Sequence, residues 1–121
     1  MARVMIVDDT EFMRMVIKDT LLKYGHEVVA EAGDGEEAIQ TYLEVKPDIV
    51  LMDVIMPDMD GKEALRKLLT IDPEAKVVMC SSIGKPALIT ESMKIGAVGF
   101  IVKTFKPHGM LDVIRKISEP N

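Results

Sequence analysis

The stretch DIVLMDVIMPDMDG, from Asp48 to Gly61, decides the fold. Its apolar run Ile49-Val50-Leu51-Met52 is continuous rather than alternating, the pattern of a strand buried on both faces. The run ends in a carboxylate, Asp53, and the chain then passes through Pro57 to two further acids and Gly61. A core strand that finishes on a charge raises the question of what the charge is for.

Working outward, the same kind of run recurs at Val4–Val7, Val28–Ala30, Val77–Cys80 and Val98–Val102. Helical spacing fills the intervals. Phe12, Met13, Val16, Ile17 and Leu21 share one face of a first helix, and Ala38, Ile39, Tyr42 and Leu43 share one face of a second. The spacings Asp34–Glu37 and Asp60–Glu63 predict capping boxes. Pro86 and Pro107 suit the first turns of two later helices, Gly25 and Gly96 suit helix C-terminal caps, and Pro47 stops the second helix. Five strand–helix units in alternation predict an α/β fold with a doubly wound, parallel five-stranded sheet. The 121 residues fit a single domain spanning 1–121, with no repeat, linker or low-complexity segment.

Composition narrows the function classes. A net charge of −5 argues against direct binding of nucleic acid, which needs a basic face. No apolar run is long enough to cross a membrane and no signal-peptide pattern is present, so a soluble cytoplasmic protein is expected. The single cysteine, Cys80, rules out an internal disulfide and reads as a small core hydrophobe. His26 and His108 stand apart from any zinc-ligand spacing. Most of the 10 methionines read as gap-fillers of the core.

In open parallel sheets, ligands sit at the carboxyl ends of the strands. Here the first strand ends in Asp8-Asp9, the third in Asp53, the fourth in Ser81-Ser82 and the fifth in Lys103. Taken singly, each has an ordinary explanation: Asp9 or Thr10 caps a helix, a serine sits in a loop, a lysine is solvated. Jointly they place three carboxylates, a hydroxyl and an ammonium at one sheet edge. Three such acids repel one another, and a hard divalent cation such as Mg²⁺, which takes carboxylate, water and phosphate oxygens, resolves the conflict.

The set Asp8-Asp9, Asp53 through Gly61, Cys80-Ser81-Ser82 and Phe100-Ile-Val-Lys103 resembles the receiver domain of two-component response regulators over the whole chain, in order. With Met13-Arg14 in the first helix, it is most similar to the stand-alone chemotaxis members. The resemblance implies a flavodoxin-like fold of strand order 2-1-3-4-5. It implies a phosphorylation-activated switch rather than an enzyme, with Asp53 as phosphoacceptor from a histidine kinase. Asp8, Asp9, Asp53 and the backbone carbonyl of Ile55 would hold Mg²⁺. Ser81 and Lys103 would contact the phosphoryl group, Phe100 would be the aromatic switch, and Ile55 and Ile83 would modulate the lifetime. A monomer is implied, whose output face, built from the fourth helix, fifth strand and fifth helix, engages a flagellar switch protein or another target. A phosphorelay shuttle is the alternative output.

Rival classes fit less well. An aspartyl-phosphate hydrolase needs a second acid two residues after the nucleophile, where Ile55 stands. A flavin site needs a hydroxyl- and amide-rich phosphate cradle after the first strand, where Asp8 and Asp9 stand. A pseudo-receiver would be expected to lack part of the acid set. One departure from the family is Lys103-Thr104-Phe105, where proline usually follows the lysine. A trans Lys103–Thr104 bond, a rerouted loop and a Lys103 loosened from the acids are expected.

Overall fold

The computed structural model describes residues 2–103 and 107–118. Strands β1 (Arg3–Val7), β2 (Glu27–Ala32), β3 (Ile49–Asp53), β4 (Val77–Ser81) and β5 (Gly99–Val102) alternate with helices α1 (Glu11–Lys23), α2 (Gly35–Val45), α3 (Gly61–Ile71), α4 (Pro86–Ile95) and α5 (Pro107–Ser118). All strand pairs are parallel and the sheet order is β2-β1-β3-β4-β5. The expected strand order is therefore the observed one.

Side chains alternate across a strand, so each strand feeds two cores. Met5, Val7, Val50, Met52, Val77 and Met79 point to one face, where Ala38 and Tyr42 of α2 and Leu65 and Leu68 of α3 cover them. Val4, Ile6, Ile49, Leu51, Val78 and Cys80 point to the other, covered by Ile17 and Leu21 of α1 and Met110 and Ile114 of α5. This two-sided burial is why the runs read as continuous rather than alternating. Helix α4 is the lightest partner. Its only fully buried residue is Ser92, whose hydroxyl donates back to the Leu88 carbonyl at 2.9 Å. Leu88 and Ile95 pack half-buried on the first core.

The punctuation follows the chemistry expected of it, with corrections. Gly25 (φ 86°) and Gly96 (φ 129°) lie just past the ends of α1 and α4 in conformations that favour glycine. Helix α2 ends at Lys46 (φ 46°), directly before Pro47, and the Arg3 guanidinium satisfies the Lys46 and Val45 carbonyls. Asp34 accepts from the Glu37 amide, but Glu37 returns its bond to Gly33 rather than to Asp34. Asp60 accepts from the Lys62 amide, one residue short of the predicted box. Thr10 is the N-cap of α1, yet its hydroxyl donates to Asp8 instead of capping. Phe12 and Leu43, placed on the shared apolar faces of their helices, are exposed, and Val98 lies outside β5. Met5, Met52, Met56, Met79 and Met110 are buried and Met15 and Met93 exposed. The Lys103–Thr104 bond and its neighbours to residue 106 lie outside the described residues, as does the side chain of His108.

Candidate functional site

The carboxyl ends of strands β1, β3, β4 and β5 carry the polar groups, either as the last residue (Asp53, Ser81) or as the one just beyond it (Asp8, Lys103). Asp8 follows β1 and is buried. Its Oδ1 accepts from the Thr10 amide and hydroxyl, each at 2.9 Å. Its Oδ2 receives the Lys103 ammonium at 2.5 Å. The same ammonium lies 3.3 Å from Asp53 Oδ2. Asp53, the last residue of β3, is buried, and its Oδ1 accepts from the Ile55 amide at 3.4 Å. Asp9 is exposed, but one carboxylate oxygen each from Asp8, Asp9 and Asp53 fall within 4.8 Å of one another.

Burial pushes the Asp53 carboxyl above its ordinary value, with the Asp8 charge adding to the rise and Lys103 opposing it. Burial alone would lower Lys103, but its bonds to Asp8 and the charges of Asp53 and Asp8 leave it raised. The ammonium is thus firmly charged. Among the described residues one cation, Lys103, faces the three acids, which leaves an excess of negative charge among them. Its donors are all hard oxygens, and Asp9 leaves one side open to solvent. That is the donor chemistry of Mg²⁺, which keeps water and phosphate in its shell. The residues present fit the cation.

The remaining expected residues surround this cluster. Ser81 ends β4, buried, with its Oγ accepting from the Ile83 amide at 3.0 Å. Its backbone carbonyl accepts from the Lys103 amide at 2.7 Å, which docks the lysine's strand end. Ile55 and Ile83 are exposed, at 61% and 41%, on the loops after β3 and β4. Phe100 lies on β5, paired with Met79 and half-buried against the first core. The expectation that Lys103 is loosened is overturned, because it contacts both Asp8 and Asp53. Cys80 is inert: burial pushes its thiol up to about 12.

Gly61 matters for a reason the sequence reading missed. Its backbone abuts the end of β3, with its amide donating to Val54 O at 2.7 Å. A Cβ there would stand 2.0 Å from the Asp53 carbonyl oxygen. Glycine is required for close approach, not for a turn conformation. Arg14 and Thr10, both bound to Asp8, were also not singled out for the site. Side chains in a helix lean toward its N-terminus, which is the signal that places Arg14 back over the Asp8 corner.

The sequence matches the response regulator receiver domain family over residues 4–115. The chain belongs to this family. The chemotaxis protein CheY of Thermotoga maritima is 48% identical over 117 residues, covering 97% of this chain and 98% of that relative. CheY of Bacillus subtilis is 47% identical, covering 94% and 95%. Among solved structures, the receiver chain superposes on the CheX–CheY–BeF3–Mg²⁺ complex from Borrelia burgdorferi with a TM-score of 0.93 at 32% identity, covering 98% of this chain and 90% of that one. The response regulator domain of Thermotoga maritima CheB gives 0.87 at 36% identity, covering 98% of each. Among the described residues, no helix of this receiver is long and apolar enough to cross a membrane.

Proposed function

We propose that the chain is a phosphorylation-activated signalling switch of the chemotaxis class, with Asp53 as its phosphoacceptor. The observation that carries this reading is the bridge from Lys103 to both Asp8 and Asp53, at the sheet edge where Asp9 completes an acid trio. The donor is a phosphohistidine of a chemotaxis-type histidine kinase. A carboxylate oxygen of Asp53 attacks phosphorus in line. The new O–P bond forms as the N–P bond breaks, and the imidazole leaves. Mg²⁺, held by Asp8, Asp9, Asp53 and the Ile55 carbonyl, would neutralise charge on the transferred group. Strand β3 keeps the nucleophile in place, and Lys103 supplies a fixed positive charge to the phosphoryl oxygens.

The new group brings charge and acceptor oxygens to the strand ends. The Ser81 hydroxyl, whose oxygen accepts from Ile83, keeps its proton to donate to a phosphoryl oxygen, drawing the β4–α4 loop inward. Half-buried Phe100 would then pack further in, changing the α4–β5–α5 face. Phenylalanine has no hydroxyl, so its inward state rests on packing alone. Met93, Val98 and Val102 are exposed on or beside α4 and β5 and are apolar contact candidates for a flagellar switch protein or other target. The domain works as a cytoplasmic monomer. A hydrolase role is disfavoured because Ile55, two residues past Asp53, transfers no proton.

The test is treatment with acetyl phosphate and MgCl2, read by intact mass. One phosphoryl group is expected on the natural chain and none on Asp53→Asn. Binding to a flagellar switch peptide should tighten on phosphorylation. Equal labelling of Asp53→Asn would sink the assignment, and Phe100→Ala binding the peptide with undiminished dependence on phosphorylation would exclude the aromatic switch.

A further inference from the structure

Arg14 sits in the second turn of α1 with its side chain mostly covered, 19% exposed. Its Nη1 donates to the backbone carbonyl of Asp8 at 2.6 Å, and its Nε to Glu31 Oε1 on β2 at 3.2 Å. Lys18, one turn further along α1, lies 3.6 Å from the other Glu31 oxygen. The guanidinium is therefore held from behind while it grips the chain at the end of β1.

The Asp8 carbonyl belongs to the peptide plane that joins Asp8 to Asp9. The Asp8 side chain is fixed independently, by Thr10 on one oxygen and Lys103 on the other. Asp9 has no such support: its carboxylate is exposed and forms no hydrogen bond or ion pair within the described residues. Its direction is set by the backbone torsions that follow the gripped plane. We propose that Arg14 is a positioning residue for the cation site, holding the Asp8–Asp9 peptide plane so that Asp9 projects toward Asp8 and Asp53. The inference rests on the reading of those three acids as the Mg²⁺ site.

Two effects of Arg14 on a cation have opposite signs. Its positive charge, only partly balanced by Glu31, repels Mg²⁺, so loss of that charge alone would tighten binding. Loss of the grip frees Asp9 and weakens binding. Partners that orient metal ligands without touching the metal are worth roughly 10–100-fold in affinity.

The experiment is a titration with MgCl2 followed by amide NMR, with no phosphodonor present. Arg14→Gln removes the charge and shortens the reach, and is expected to weaken Mg²⁺ about tenfold. Arg14→Lys keeps the charge on one flexible nitrogen in place of the rigid fork and should fall between it and the natural chain. Thermal melts in EDTA check that the fold persists. If Arg14→Gln does not fold, Arg14→Met, which keeps the aliphatic stem, replaces it. Natural or tighter affinity in the neutral variant overturns the positioning role. If the natural chain itself shows no saturable Mg²⁺ binding, the cation site fails. If the natural chain binds, Asp9→Ala does not, and Arg14→Gln matches the natural chain, only the positioning role fails.

Discussion

Lys103 reaches across the sheet edge from the end of β5 to Asp8 at the end of β1, 95 residues away in sequence, at 2.5 Å. The same nitrogen lies 3.3 Å from Asp53, so one ammonium holds two buried acids together. Replacing it leaves those acids facing each other uncompensated. Lys103→Met is expected to destabilise the fold by about 3 kcal/mol, the usual scale for breaking a buried pair. MgCl2 should recover much of that loss by supplying the missing positive charge. Thermal melts with and without MgCl2 check it: the Mg²⁺-dependent rise should be larger in the variant than in the natural chain.

Asp53 bears a charge where burial disfavours one. Its folded pKa lies above the ordinary 3.8, so the native state holds a proton more readily than the unfolded chain. That contribution is present at low pH and is lost as pH rises from 3.8 through the folded value, which leaves the charged form destabilising at pH 7. Asp53→Asn should therefore raise the melting temperature at pH 7 by a few degrees, since ~1 kcal/mol is worth roughly 2–8 °C in domains of such size. The gain should shrink toward pH 4. A lower melting temperature for the variant at pH 7 would contradict the electrostatic account.

Gly61 and Gly109 make a matched pair. Gly61→Ala drives a Cβ into the Asp53 carbonyl, 2.0 Å away, and backbone cannot yield as a flexible side chain does. A loss of at least ~2 kcal/mol is expected, with phosphoacceptance impaired because the backbone of the proposed phosphoacceptor, Asp53, is displaced. Gly109 lies in α5, and among the described residues nothing comes within 4 Å of the added Cβ. There alanine should stabilise by about 0.5–1 kcal/mol. Urea unfolding of the two variants decides both.

His26 predicts the acid limb of stability. The Ala2 amide donates to its Nδ1 at 3.1 Å, an interaction open only to the unprotonated nitrogen. Burial, with a smaller contribution from the positive chain terminus, lowers its pKa below the ordinary 6.5. The unfolded chain thus takes up a proton first, and stability falls as pH drops below 6.5 toward the folded value. His26→Gln should flatten the fall in urea midpoint between pH 7 and pH 5.

The proposed role of Ile55 and Ile83 concerns the lifetime of the phosphorylated state. Both are exposed, on the loops that follow Asp53 and Ser81, and neither side chain can orient water or relay a proton. Self-dephosphorylation should be slow. The double substitution Ile55→Asn with Ile83→Glu should accelerate it, as followed by decay of the intact-mass signal after donor removal; unchanged decay would discard the idea.

How legible the site was in the sequence depended on distance along the chain. Asp8, Asp53, Ser81 and Lys103 could be placed because each ends an apolar run, and strands buried on both faces must be parallel neighbours under helices. Strand ends then converge whatever the loops do. Contacts that depend on side-chain direction were not read, even where, as for Arg14, the lean of helical side chains offered a signal. The Thr10 hydroxyl turns back to Asp8 rather than serving its helix, the Ser81 oxygen faces Ile83, and Arg14 reaches six residues upstream. Phe12 failed for a related reason. Periodicity assigns a face, but the fully buried residues of α1, Ile17 and Leu21, lie beyond its first turn, and Phe12 lies within it.

Helix α4 places only Ser92 fully out of solvent and leans on Leu88 and Ile95. One exposed tether, Lys62 to Glu91 at 3.0 Å, joins it to α3. Local opening free energy follows buried apolar contact, so the amides of α4 should exchange with deuterium well before those of β1, β3 and β4, whose side chains are almost wholly enclosed. A helix so loosely moored can be repositioned by the few kcal/mol that a single bound group delivers, while the rest of the sheet stands still.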